Sequence, residues 1–151
     1  MRQDIGIARI ALAYSKLAYI HALYFGVGLT QEGFCLSKGN TWLGIGRLDR
    51  AIRCYRNSLK AEENPRVRAL LGWCYSRAGD QTGALESYRL AYKARPRHEI
   101  ALGLASLEFS VGEKETAFAV LRTLQKARDT LNPKLLTELK RLEDEFGADL
   151  K

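Results

Sequence analysis

Three alanines, Ala51, Ala84 and Ala117, stand 33 residues apart, and each follows a glycine (Gly46, Gly79, Gly112) by five residues. The register between them is filled alike: Tyr55, Ser58 and Leu59 follow the first alanine, Tyr88, Ala91 and Tyr92 the second, Leu121 and Leu124 the third. Such a recurrence constrains the fold more than any local propensity, because each unit is one supersecondary element that cannot bury its apolar face alone. Glycine suits the tight turn that ends one helix, since it accepts positive φ. The alanine and the aromatic four residues later share one face of the next helix. A small side chain there lets two helices approach closely, and the aromatic fills the space beyond. The pattern predicts an all-α chain of antiparallel helix pairs over 32–45 and 48–61, 66–78 and 81–94, and 98–110 and 114–128. Asn132-Pro133 supplies a capping residue and a first-turn proline for a last helix. Its stripe Leu135, Leu139, Leu142 and Phe146 is closed by Gly147.

Leu71-Gly72-x-x-Tyr75, Gly79, Ala84, Tyr88, Ala91 and Pro96 resemble the tetratricopeptide-repeat (TPR) signature, with Arg68 where an early aromatic is expected. Lys38-Gly39-Asn40, Leu43, Gly46, Ala51 and Tyr55 look like its opening variant. The third copy departs more, with Ala105 in place of the glycine and Phe109 one place late. The resemblance covers about residues 32–131 and implies a right-handed α-solenoid of three repeats there, followed by a capping helix and tail over 132–151; residues 1–31 read separately as an apolar N-terminal helix. The resemblance is specific for fold and weak for any one function.

At 151 residues the chain is long enough to bury a core without staples. The apolar share of 46% and charged share of 27% exclude a disordered chain. Cys35, Cys54 and Cys74 are odd in number and form no C-x-x-C pair, so they read as small buried thiols in a reduced, cytoplasm-like compartment. His21 and His98 stand apart, so neither a metal site nor a cofactor is expected. Phosphate-binding glycine loops, nucleophile elbows and zinc-protease motifs are absent, and the acidic pairs read as solvated surface; the chain reads as a non-enzyme. The net charge of +7 is concentrated: residues 47–98 hold twelve basic and five acidic side chains. That excess reads either as a solvated outer face or as attraction for an acidic partner or polyanion. Nucleic acid is not the expected partner, since no nucleic-acid fold is recognised.

Residues 5–29 stand outside the repeat. From Ile10 to Leu29 only Ser15, Lys16 and His21 interrupt the apolar run, which is long enough to span a bilayer. Lys16 would then lie well inside it, where a charge is costly. Arg2, Arg9 and Lys16 are seven apart and would align as a basic stripe. Three readings stay open: a helix packed on the solenoid or in its groove, a helix for self-association or partner docking, and a membrane-associated helix.

The resemblance implies that the first helix of each repeat lines a concave partner-binding surface. The positions it carries over are Asn40 and Leu43; Arg66, Ala69, Leu70, Trp73 and Arg77; and Leu102, Ser106 and Phe109. Trp73 is the expected anchor if it is exposed, and a core residue under the N-terminal helix if it is not. Some relatives grip a C-terminal carboxylate with five polar residues; the matching positions are Leu36, Asn40, Leu70, His98 and Leu102, and only Asn40 fits. The expected function is therefore an adaptor, scaffold or chaperone-like module holding an apolar peptide or helix. The alternatives are a structural subunit docked to a membrane or larger complex through residues 5–29, and polyanion or nucleic-acid binding through the basic 47–98 region.

Overall fold

The computed structural model describes residues 2–26 and 28–148. Eight α-helices follow in order: α1 (Arg2–Gly26), α2 (Gln31–Gly44), α3 (Leu48–Ala61), α4 (Pro65–Ala78), α5 (Gln81–Ala94), α6 (His98–Ser110), α7 (Lys114–Lys126) and α8 (Pro133–Ala148). A single 3-10 turn, Arg128–Thr130, precedes α8, and no strand occurs among the described residues. The helices pair antiparallel as α2–α3, α4–α5 and α6–α7, and each pair packs on the next to make a right-handed solenoid.

The punctuation of the sequence becomes the punctuation of the fold. Gly46, Gly79 and Gly112 take φ of 75°, 86° and 87°, the left-handed turn between the two helices of each pair. Asn64 accepts a hydrogen bond from the Arg66 N–H at 3.0 Å and Asp80 one from the Gly83 N–H at 2.9 Å, so α4 and α5 begin at side-chain caps. Asn132 caps α8 in the same way, accepting from the Leu135 N–H at 3.0 Å.

Close approach within each pair is set by volume. Ala51, Ala84 and Ala117 are all fully buried. A Cβ on Gly39 would lie 2.5 Å from the Tyr55 ring, and one on Gly72 would lie 3.0 Å from the Tyr88 ring. In the third pair Leu121 replaces the tyrosine, and Ala105 takes the glycine position in the same buried cluster. The less bulky partner is what allows the extra methyl there. Glu108, 3% exposed, is held by Arg89 at 3.1 Å, and Arg89 also pairs with Glu113, which ties α5 to α6 and to the turn that follows it.

The two ends are built differently. α8 buries Leu139, Leu142 and Phe146 almost completely against α6 and α7. α1 packs on α2 through Ala13, Leu17 and Ile20, with Tyr24 stacked on Phe34 at 4.3 Å. The rest of α1 stays open, with Ile7, Leu12, Tyr14, Tyr19 and Phe25 all exposed. Of the three readings of this segment, packing on the solenoid describes the contact with α2, but that contact covers only one side of the helix. No described helix is long and apolar enough to cross a membrane.

Candidate functional site

α4, α6 and α8 line two neighbouring lobes with Trp73 common to both. Trp73 is 42% exposed, and the Arg77 guanidinium lies 5.7 Å from its ring centroid. A partly exposed tryptophan with a cation over its face is a rigid apolar platform whose burial by a ligand is strongly favourable. Because α1 packs on α2, the alternative of a tryptophan covered by the N-terminal helix does not describe this molecule. The other tryptophan, Trp42, is the one beside α1, with Tyr14 edge-on at 5.9 Å.

Beneath the platform lies Tyr88 of α5, which lines both lobes. Its ring passes between two glycines: a Cβ on Gly72 would meet it at 3.0 Å and one on Gly103 at 2.7 Å. Burial raises its phenol to about 12, so it stays neutral at physiological pH. Gly103 is therefore as necessary to the groove floor as Gly72, although it lies outside the repeat signature.

The structure places the expected groove residues in three groups. Arg66, Ala69, Leu70 and Trp73 line the smaller lobe, a cavity of about 450 Å³ shared with Arg97, Glu99 and Ile100. Arg77, Leu102 and Ser106 line the larger lobe, about 970 Å³; Leu102 is only 7% exposed and serves as its floor. Asn40, Leu43 and Phe109 are not with them. Asn40 lines a separate cleft beside α1 and accepts the Tyr55 hydroxyl at 2.8 Å. Leu43 packs against the buried cluster of Trp42, Tyr55 and Leu71. Phe109 is corrected outright: it stacks on Phe146 at 3.9 Å and belongs to the C-terminal core. Its position one place late in the register turns it toward α8.

Sequence reasoning missed the third wall. Asn132, Lys134, Glu138, Arg141 and Glu145 of the last helix and its cap line the larger lobe. With Glu99, Arg66 and Arg77 they make the rim mixed in charge. The signal for it was the polar face of α8 opposite its apolar stripe, on which Glu138, Arg141 and Glu145 recur at i, i+3 and i+7. The basic excess of 47–98 is likewise divided. Arg53, Arg56 and Lys60 are exposed along α3, Arg66, Arg77 and Arg97 line the groove, and Arg68 and Arg89 are ion-paired.

Burial raises the thiols of Cys35 and Cys54 and pushes Cys74 up to about 11, which disfavours the nucleophilic thiolate. Among the described residues no cluster of three metal-ligating side chains occurs.

The tetratricopeptide-repeat family pattern matches residues 36–99. Residues 36–99 carry tetratricopeptide repeats. The three helix pairs α2–α3, α4–α5 and α6–α7, followed by the capping helix α8, share the solenoid fold of that family. No curated protein sequence matches the chain. Among solved structures it is similar to yeast Tom70, at 25% identity and a TM-score of 0.62 over 77% of this chain. It spans only 24% of that Tom70 chain. MamA of AMB-1 is similar at 20% identity and a TM-score of 0.67, over 95% of this chain and 80% of that one. MamA of MSR-1 gives 17% identity and 0.66, over 96% and 84%. The two MamA likenesses speak to the fold alone. Tetratricopeptide-repeat proteins are in general non-enzymatic scaffolds that bind other proteins or peptides.

Proposed function

We propose that this tetratricopeptide-repeat chain is a non-catalytic adaptor, chaperone-like in the sense of holding a partner's apolar segment, and that the segment lies in the concave groove with an apolar side chain seated on Trp73. The observation that carries the reading is Trp73 itself, exposed at the junction of two lobes over the buried Tyr88. An apolar floor of Leu70, Leu102 and Tyr88 would take one face of an amphipathic helix or alternate side chains of an extended segment. The rim, with Arg66, Arg77 and Arg97 against Glu99, Glu138 and Glu145, would set register and orientation more than affinity. No cofactor is needed for such a role. Polyanion binding is the weaker reading, because the basic residues are spread over separate faces and mixed with carboxylates in the groove.

The test is selection of binders from a displayed library of amphipathic peptides, followed by titration of the best of them. Trp73→Ala should weaken binding at least tenfold, the size of a central interface anchor of about 2 kcal/mol, with the melting temperature little changed. Trp42 is buried, so an emission shift on titration reports Trp73. Peptides that bind wild type and Trp73→Ala equally, with no emission change, would place the partner site elsewhere.

A further inference from the structure

α3 packs between α2 and α4, and α5 between α4 and α6, so the second helix of each of these pairs touches two first helices. α1 packs on α2 as a second helix packs on the first helix of the following pair, but no described helix stands on its other flank. The repeat period locates that open side. Ser106, Leu107 and Ser110 of α6 line the larger groove lobe opposite Trp73, Ser76 and Arg77 of α4. Their counterparts two periods earlier, 66 residues back, are Asn40, Thr41 and Gly44 of α2. These three, with Ile45, form one wall of a cleft of about 300 Å³; the other wall is Arg9, Leu12, Ala13 and Lys16 of α1. α2 therefore offers this cleft the surface that α6 turns toward its neighbour α4. The α1 wall continues through Tyr19 and half-buried Leu23, so that Leu12, Lys16, Tyr19 and Leu23 form one row at helical spacing. Leu12 is 56% and Tyr19 64% exposed.

We infer that this cleft receives an amphipathic helix of a partner protein, lying antiparallel to α1, with an acidic polar edge. The helical form follows from the cleft's two walls, which are the faces of two helices, α1 and α2, between which a further helix can pack. The acidic edge follows from Arg9 and Lys16, both exposed, seven residues apart on the wall and without an ion-pair partner among the described residues. Two carboxylates seven apart on the incoming helix meet them both. A second copy of α1 would instead set these cations against their own kind. The site is distinct from the Trp73 groove, and either can fail without the other.

The probe is a labelled amphipathic peptide of about 18 residues, ~27 Å long as a helix, with a leucine and alanine face edged by glutamates seven apart. A matched peptide carries lysines at those positions. Fluorescence anisotropy with the full-length protein should show saturable binding of the acidic peptide, at least tenfold tighter than the lysine one. Arg9→Glu with Lys16→Glu should invert that preference, and Leu12→Asp with Tyr19→Asp should weaken both peptides tenfold or more. Trp73→Ala should change neither beyond twofold. All four α1 positions are exposed, and circular dichroism and the urea midpoint check that these variants keep the fold. Equal affinity for the two peptides, no binding, or a loss produced by Trp73→Ala alone overturns the proposal. So does a wild-type dimer in gel filtration that Leu12→Asp with Tyr19→Asp dissolves, which makes a second copy the occupant. Sedimentation with phosphatidylserine vesicles, abolished by the same pair, overturns it in favour of lipid.

Discussion

The C-terminal and N-terminal helices solve the same problem with opposite results. α8 covers the end of the solenoid with one apolar stripe and turns charge outward, so Leu139, Leu142 and Phe146 are 1% exposed or less. α1 is apolar around most of its circumference, and packing one face on α2 leaves Ile7 at 68% and Phe25 at 80% exposed. A helix becomes a cap only if its apolar surface is no wider than the face it covers. The excess on α1 is unfavourable in water, and a soluble monomer seldom keeps such a patch without a use for it.

The widest separation between the ends should come from matched phenylalanines. Phe146→Ala removes a fully buried ring stacked on Phe109 and should cost about 3–5 kcal/mol in urea unfolding. Phe25→Ala should stay within about 0.5 kcal/mol of wild type. Equal costs would mean that α1 is covered in solution.

A second pair asks how far the repeat reaches. Ala84 is fully buried, and Ala84→Leu should overpack the second pair at a cost of about 1–3 kcal/mol. Counting 66 residues back from Ala84 gives Ala18, which is exposed. Ala18→Leu should therefore leave the melting temperature unchanged. A cost there comparable to that of Ala84→Leu would show a further helix seated on α1.

The groove floor supplies a pH test at the centre of the molecule. Burial holds the Tyr88 phenol up to about 12 against an ordinary value of 10.0. Because the folded value is raised, the stability it contributes is complete below pH 10 and is lost as pH rises toward 12. A tenfold difference in proton affinity between the folded and unfolded chain corresponds to about 1.4 kcal/mol. Urea midpoints should fall between pH 9 and pH 11.5, and Tyr88→Phe should flatten that fall, leaving the part due to Cys35, Cys54, Cys74 and Tyr55, whose values burial also raises. An unaltered slope in Tyr88→Phe would mean the ring is hydrated.

The smallest effect belongs to the convex side. Reversing Arg53, Arg56 and Lys60 to glutamate should change stability by no more than about 0.5 kcal/mol per site, since all three are exposed. A large loss of partner binding in that variant, with the fold intact, would give the basic face a role that neither end of the solenoid carries.

Much of this was legible in the chain itself. Gly46, Gly79 and Gly112 marked the turns, and Asn132 the cap of the last helix, because such residues act on backbone groups within a few positions. The helix limits fell within two residues for the pairs, the widest difference being α7, which ends at Lys126 where 128 was expected, just before the 3-10 turn at Arg128–Thr130. The candidate groove was less legible. Trp73, Leu70 and Arg66 follow from repeat register, but Gly103 and the α8 wall answer to Tyr88 and Trp73, partners remote in sequence.

The sequence by itself determined the period, the pairing of helices and the volume rule that sets glycine against tyrosine and alanine against leucine. These follow from spacing and side-chain size, which are properties of short stretches of chain. Only the tertiary structure decided which flank of α1 rests on α2, that Trp73 is open and Trp42 closed, and that Phe109 turns to Phe146. Those outcomes depend on which surfaces compete for a common neighbour, and burial is settled by the most complete fit among all of them.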